Sequence, residues 1–415
     1  MPAAPARSSA GGGGPMLRGV SPTSTPHDPL ADPAYRSLVG LLTHAVAADA
    51  SDLHLRPDAV AKIRVGGSLT DATAGPVPAE QVTALVLASM NAAVREEYAA
   101  AMEADYALVV DGLGRFRVNA FRTRGADALV MRRIRDEATT LDELKMPDAV
   151  RELALRPRGL VLVTGPTGSG KSTTLAAMID LVNASRAVHV LTLEDPIEVL
   201  HRDKRATVTQ REVGSDTHGW GRALKSAMRQ DPDVILIGEL RDAETVRAAL
   251  TAAETGHAVF ASMHTTDAHE TVLRLIESFA PEEQPRARAV LAAALEGVIC
   301  QRLVPRAGGG RACILEIGVR DSRFSEAVAD PDKTHDLPAI LETGDYSGMQ
   351  TFDQHLLRLV TDGTITLETA EACASNPHDL AVKLRRTGWT SGEEDRGPVR
   401  PAPYLSLAAD GSAVE

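Results

Sequence analysis

The sequence predicts an α/β protein, a parallel sheet covered by helices and preceded by a smaller α+β domain. Three observations carry this. From Gly159 onward, short apolar runs (Leu160 to Thr164, Val188 to Leu193, Val234 to Ile237, His257 to Ser262) alternate with helix-length segments, the signature of βαβ units. A glycine-rich loop stands between the first of these runs and a helical pattern. Ahead of them, residues 35–140 mix helical spacing with strict alternation and lack that rhythm. A chain of 415 residues has room for about two to three domains.

Residues 1–34 are rich in Ala, Gly, Pro and Ser without a continuous apolar stretch, so they read as a disordered tail and not as a secretory leader. Leu38, Leu41, Leu42, Ala45 and Val46 then repeat at helical spacing. Asp52 to Leu55 and Ala61 to Val65 alternate like half-buried strands, and a second amphipathic helix follows around Val82, Leu85, Val86 and Met90. Tyr106 to Val110, a turn at Asp111 to Gly114, and Arg115 to Arg122 read as a β-hairpin with Phe116, Val118 and Ala120 on one face. Residues 141–155 read as a helical linker interrupted by Pro147, 156–345 as the parallel-sheet domain, and 346–387 as a helical segment (Phe352 to Thr361, Leu367 to Ala374). The Gly, Pro and charge-rich stretch 388–415 reads as a second disordered tail.

Composition narrows the function. Three widely separated cysteines, Cys300, Cys313 and Cys373, suit reduced thiols and a reducing compartment. No window approaches the roughly 18 to 20 apolar residues needed to span a bilayer, so membrane association is expected only through partners. A net charge of -12 repels phosphate backbones and argues against a nucleic-acid partner.

The loop Gly165-Pro166-Thr167-Gly168-Ser169-Gly170-Lys171-Ser172 fits the pattern that cradles a nucleoside triphosphate. Its glycines let backbone N–H groups turn onto phosphates, Lys171 reaches the β and γ phosphates, and Ser172, followed by Thr173, can ligate Mg²⁺. In open parallel sheets ligands bind at the carboxyl ends of strands. Polar groups follow three such ends: Glu194, Asp195 and Glu198; Glu239, Arg241 and Asp242; His264, Thr265 and Thr266. Glu239, after four apolar residues and a glycine, is expected to be the catalytic base. Glu194 and Asp195 fit either a catalytic carboxylate or a turn cap before Pro196. His264 is placed to sense the γ-phosphate, whereas His257, at the start of its strand, also fits a structural role holding a loop. Arg115, Arg117, Arg122, Arg124, Arg132 and Arg133 crowd a short stretch, as a solvated basic face or as arginine fingers.

With these motifs together the chain resembles the secretion-superfamily ATPases, and within them the type IV pilus retraction ATPases of the PilT family. Four blocks carry the resemblance from about Tyr35 to about Ala374: Ala50 to Leu55 with Ile63 to Gly67, Leu191 to Glu198, Arg229 to Asp242, and Thr255 to Thr266. They resemble the start of the family's PAS-like domain, its Asp box, its Walker B block and its His box. The resemblance implies a homo-hexameric ring binding ATP and Mg²⁺, with each PAS-like domain packed on a neighbour's RecA-like domain and ATP in the interdomain cleft. It further implies an inner-membrane pilus platform protein and other pilus motor components as partners, and a cytoplasmic location at the inner face of the cell membrane. Carried over residue by residue, Glu239 matches the catalytic glutamate, Glu194 the Asp-box carboxylate, and His257 and His264 the His-box histidines at the nucleotide. Arg117 and Arg132 fall where the family keeps phosphate-contacting arginines. Assembly and secretion relatives carry a four-cysteine zinc insert, whereas the run from Gln301 to Glu316 is short and holds only Cys313, which favours the retraction branch. The chain departs at Arg323 to Asp330, where Ser325 and Ala329 replace the arginines of the family's AIRNLIRE-type helix.

Overall fold

The computed structural model describes residues 32–134, 137–386 and 389, and the chain divides into two compact units, one ending at Arg133 and one beginning at Ile134. The first unit opens with α1 (Pro33–Ala47), whose start is set by Asp32: its side chain accepts from Ala34 N at 2.8 Å, and Pro33 fills the first helical position. Order thus begins ahead of the boundary expected at residue 35. There follow β1 (Asp52–Leu55), β2 (Ala59–Val65), β3 (Ser68–Val77), α2 (Ala79–Ala88), α3 (Ala92–Ala101), β4 (Glu103–Val110), β5 (Gly114–Thr123) and β6 (Ala126–Arg133).

These strands form one antiparallel sheet in the order β3-β2-β1-β6-β5-β4. Alternation sends Leu53, Leu55, Ile63, Val118 and Met131 to one face, where they share a core with Leu38, Leu42, Val82 and Leu85 of the helices. On the opposite face the register sets Arg64 against Asp52, Asp52 against Arg132, and Arg132 against Arg117. The expected hairpin is β4–β5. The partly exposed β3 has no apolar alternation, and α3 buries only Tyr98, so neither left a readable period.

The second unit contains α4 (Asp148–Ala154), β7 (Gly159–Thr164), α5 (Lys171–Ser185), β8 (His189–Glu194), β9 (Thr207–Glu212), α6 (Trp220–Ala227), β10 (Val234–Ile237), α7 (Ala243–Glu254) and β11 (Ala258–Met263). It continues with α8 (Ala268–Glu277), α9 (Gln284–Ala294), β12 (Leu295–Pro305), β13 (Arg311–Val319), α10 (Ser322–Ala329), α11 (Leu337–Glu342), α12 (Phe352–Thr361), α13 (Leu367–Cys373) and α14 (Pro377–Arg386). Its sheet runs β13-β12-β7-β11-β10-β8-β9, parallel throughout except for β13. β7, β10 and β11 are buried at every position, which is why they read as unbroken apolar runs. The sheet is the helix-covered, largely parallel one that the alternating apolar runs predict.

Three expected boundaries move. Residues 141–155 are not a linker: Leu141, Val150 and Leu153 are buried in the second core, and α4 begins directly after Pro147, where a proline breaks the preceding pattern. The smaller unit correspondingly ends at Arg133 and not at 140. The helices of 346–387 bury Phe352, Leu356, Val360, Leu380 and Leu384 in that same core, and Trp389 packs against it. They also cover the edge strand β13, whose Leu315 N donates to His355 Nδ1 at 2.9 Å while Leu315 O accepts from Gln350 Nε2 at 3.0 Å. The expected tails otherwise lie outside the described residues. On the far side of the hairpin, buried Arg288 of α9 donates from Nη1 to Val328 O and to Thr334 Oγ1, each at 2.8 Å, and so ties α10 down. Among the described residues no helix is long and apolar enough to cross a membrane.

Candidate nucleotide site

The site grows from the carboxyl ends of β7, β8, β10 and β11. β7 delivers its last residue, Thr164, into the loop 165–170, and α5 starts at Lys171. Gly165 has φ of 141°, and a Cβ there would stand 2.3 Å from Gln301 O and 2.7 Å from Ser169 Oγ, so glycine alone fits. Pro166, Thr167 and Gly168 are exposed at the loop crest, Ser169 is buried beneath it, and Ser172 and Thr173 occupy the first turn of α5.

Lys171 is buried, and its Nζ donates to Gly165 O at 2.8 Å and Pro166 O at 3.1 Å. Burial holds its pKa below the usual lysine range, with Glu239 and Glu198 pulling it back up. At 3.4 Å lies His264 Nδ1, and on the other side of that ring Nε2 is 3.1 Å from Glu239 Oε1. An ammonium can only donate, so Nδ1 is the acceptor and the ring hydrogen sits on Nε2, facing the carboxylate. The second oxygen of Glu239 meets Arg241 Nη2 at 2.9 Å. Sequence reasoning placed Lys171, His264 and Glu239 on separate strand ends; the structure joins them in one line.

Glu194, expected beside them, is instead held in a side network at the end of β8. Its Oε1 accepts from Thr192 Oγ1 at 2.6 Å and Gln210 Nε2 at 3.2 Å. Burial pushes its carboxyl above the usual range against these donors and the Glu198 N–H. Glu198, noted in the sequence only as a polar neighbour, is the nearby carboxylate whose charge, with that of Glu239, acts on Lys171. His257 requires correction as a nucleotide contact. It precedes Ala258, which pairs with Gly159, whereas the phosphate loop follows Thr164 at the other end of β7, about 20 Å away for six residues of strand. Its Nδ1 bonds Ala252 O at 2.9 Å and its carbonyl accepts from Gly159 N at 3.0 Å, so it fixes the α7–β11 turn.

Arg117 and Arg132 belong to the first unit. Arg132 Nε binds Asp52 Oδ1 at 2.8 Å, Arg64 approaches the same carboxylate at 3.7 Å, and Arg117 lies 4.0 Å from Asp105. Burial works against the charge of Asp52, but the Ser51 hydroxyl and Arg132 hold its carboxyl below the usual range. Two residues escaped sequence reasoning. Gln301, 1% exposed, donates from Nε2 to Ser169 O at 2.7 Å, and Glu316 accepts from Ala268 N at 2.9 Å, anchoring the start of α8 just past the His264 loop. The signal for Gln301 was the polar pair Gln301-Arg302 inside an otherwise apolar stretch from Val298 to Val304.

A strand–loop–helix phosphate cradle on a parallel sheet, with a carboxylate and a histidine aligned on its lysine, defines a P-loop nucleoside triphosphatase. The family model described as type II/IV secretion system protein matches residues 31–370. The chain is 45% identical over 341 residues to the type IV pilus retraction ATPase PilT of Pseudomonas aeruginosa, covering 82% of this chain and 98% of the relative. It is 43% identical to a twitching motility protein of Neisseria gonorrhoeae, covering 77% and 85% of the two chains. A crystal structure of the pilus retraction motor PilT with bound ADP superposes with a TM-score of 0.77 at 38% identity, covering 83% of this chain and 98% of that one. The chain belongs to the type II/IV secretion system ATPases, and within them to the pilus retraction ATPases of the PilT type.

Proposed function

We propose that the chain is an ATP-hydrolysing motor that retracts a type IV pilus and so drives twitching motility. The observation that carries the hydrolytic reading is the line from Lys171 through His264 to Glu239 at the mouth of the phosphate loop. On ATP binding, Lys171 exchanges the loop carbonyls for the β and γ phosphates, and the backbone N–H groups of Gly165 to Gly170 with the N-terminus of α5 receive the rest of the charge. Glu239 orients and deprotonates the attacking water. His264, hydrogen-bonded to the base on one side and the lysine on the other, reports the state of the γ-phosphate to the loop that begins α8.

Mg²⁺ suits these residues: the Ser172 hydroxyl follows the phosphate lysine, and the strand-end carboxylates are hard oxygen donors. When bound, the ion neutralises phosphate charge. Glu194, with its raised pKa and hydrogen-bond network, shapes this rim rather than serving as the first base. Arg117 and Arg132 act as phosphate-charge neutralisers within a homo-hexamer. The motor works at the cytoplasmic face of the cell membrane on a platform protein and other pilus components. Residues 306–310 close the β12–β13 hairpin in a short turn where assembly-type relatives would carry their insert, which supports the retraction branch.

The test pairs chemistry with phenotype. Lys171→Ala should lose nucleotide binding, and Glu239→Gln should bind ATP but hydrolyse it at least ~100-fold more slowly. Near wild-type turnover in Glu239→Gln would move the base to Glu194. Deleting the gene should leave surface pili present or increased and abolish colony spreading, whereas a strain without pili would mark an assembly or secretion motor.

A further inference from the structure

We propose that Gln301 is a positioning residue for the phosphate cradle, its side-chain amide fixing the Ser169–Gly170 peptide so that the Gly170 N–H faces the nucleotide. The inference rests on the ATP site argued above. β12 pairs Cys300 with Thr164, so Gln301 lies directly under the first residue of the loop. Its backbone carbonyl fills the space a Gly165 side chain would need, 2.3 Å from the Cβ position, and its Nε2 is 3.2 Å from the Cβ position of Gly170. Both ends of the cradle therefore rest on this one residue.

Its Nε2 donates to Ser169 O at 2.7 Å, a buried bond that spans 132 residues of sequence. A trans peptide points its C=O and N–H in opposite directions. Anchoring the Ser169 carbonyl beneath the loop consequently turns the Gly170 N–H upward, to the side where α5 opens and phosphates bind. Gly170, at φ of 91°, tolerates either peptide orientation, so without the anchor nothing local selects the productive one. A second observation separates this from ordinary packing. Gln301 Oε1 and Ser169 Oγ are buried without a hydrogen-bond partner. Folding alone favours an apolar residue at such a position, because buried orphans destabilise. The amide is kept for what its donor does to the loop.

The test is steady-state ATP hydrolysis and ADP binding by the full chain. Gln301→Met keeps length and bulk and removes the donor; KM for ATP and Kd for ADP should each rise about tenfold, the worth of one hydrogen bond to a buried carbonyl. Its kcat should stay within about twofold, since Glu239 and His264 are untouched. Because Ser169 O is left a buried acceptor without its donor, the melting temperature without nucleotide should fall as well. Gln301→Glu, which presents an acceptor to Ser169 O, should raise KM at least as far and covers the case of a Met variant that folds poorly. Unchanged KM and Kd in both variants, or a loss of stability with unchanged KM, would overturn the inference and leave Gln301 a packing residue. A wild-type chain that neither binds ADP nor hydrolyses ATP would instead refute the reading of the site itself.

Discussion

Glu316 shows how far a single side chain's chemistry depends on where the fold puts it. Burial, with repulsion from Asp267 and Asp353, pushes its carboxyl up to about 7 against the pull of the Ala268 N–H and Arg302. In an unfolded chain the group titrates near ~4.3. The folded state therefore binds this proton more tightly, and the stability it contributes is complete below the unfolded pKa and lost as pH rises through about 7. Glu316→Gln keeps an acceptor for Ala268 N and removes the titration. Denaturant unfolding at pH 8 should find it more stable than wild type by about 3 kcal/mol, with the difference vanishing near pH 4. Parallel pH profiles for the two proteins would refute the assignment. None of this was legible in the sequence, because β12–β13 register and the approach of α8 create the environment. Lys171, Glu239 and His264 were legible, since strand ends with a phosphate loop upstream announce their place. The place of His257 at the start of its strand already pointed to the loop-holding role its bond to Ala252 O supports, and only the family resemblance had drawn it toward the nucleotide.

At the scale of elements, what could be read was what repeats. β1 and α12 fall on the expected residues, and the four central strands follow their apolar runs closely. β9, with only its last residue buried, and β12 and β13, the latter at the sheet edge, carry no clean period and were missed. The edge strand explains α12. Burial lowers His355 to about 4, with Arg358 adding to the effect, so its unprotonated Nδ1 can accept from Leu315 N. This pKa is depressed on folding, so the stability it supports is present above the unfolded value of ~6.5 and lost as pH falls through about 4. His355→Leu strands the Leu315 N–H and should lower stability by about 1–3 kcal/mol at pH 7.5. Its urea midpoint should then move less than that of wild type between pH 7 and pH 4. An equal acid shift in both proteins would place the acid-labile group elsewhere.

For the molecule as a whole, the sequence set the boundary between the two units late, because residues 141–155 look like a connector until their side chains are seen in the second core. The arginines of the first unit make a prediction about assembly. If Arg117 and Arg132 serve a nucleotide held by another copy, a chain with both replaced by alanine and a Lys171→Ala chain should each be inactive alone and recover part of the turnover when mixed. Full activity in a demonstrated monomer would sink this. A last consequence follows from Arg288. By gripping Val328 O and Thr334 from inside, while Phe324, Ala327 and Val328 sit in the core, it relieves the outer positions of α10 of any duty in folding. Exposed changes on such a helix shift stability by less than about half a kcal/mol. Ala329, exposed, and Ser325, half-buried beside it, are thus positions whose replacement should leave the engine beneath unchanged.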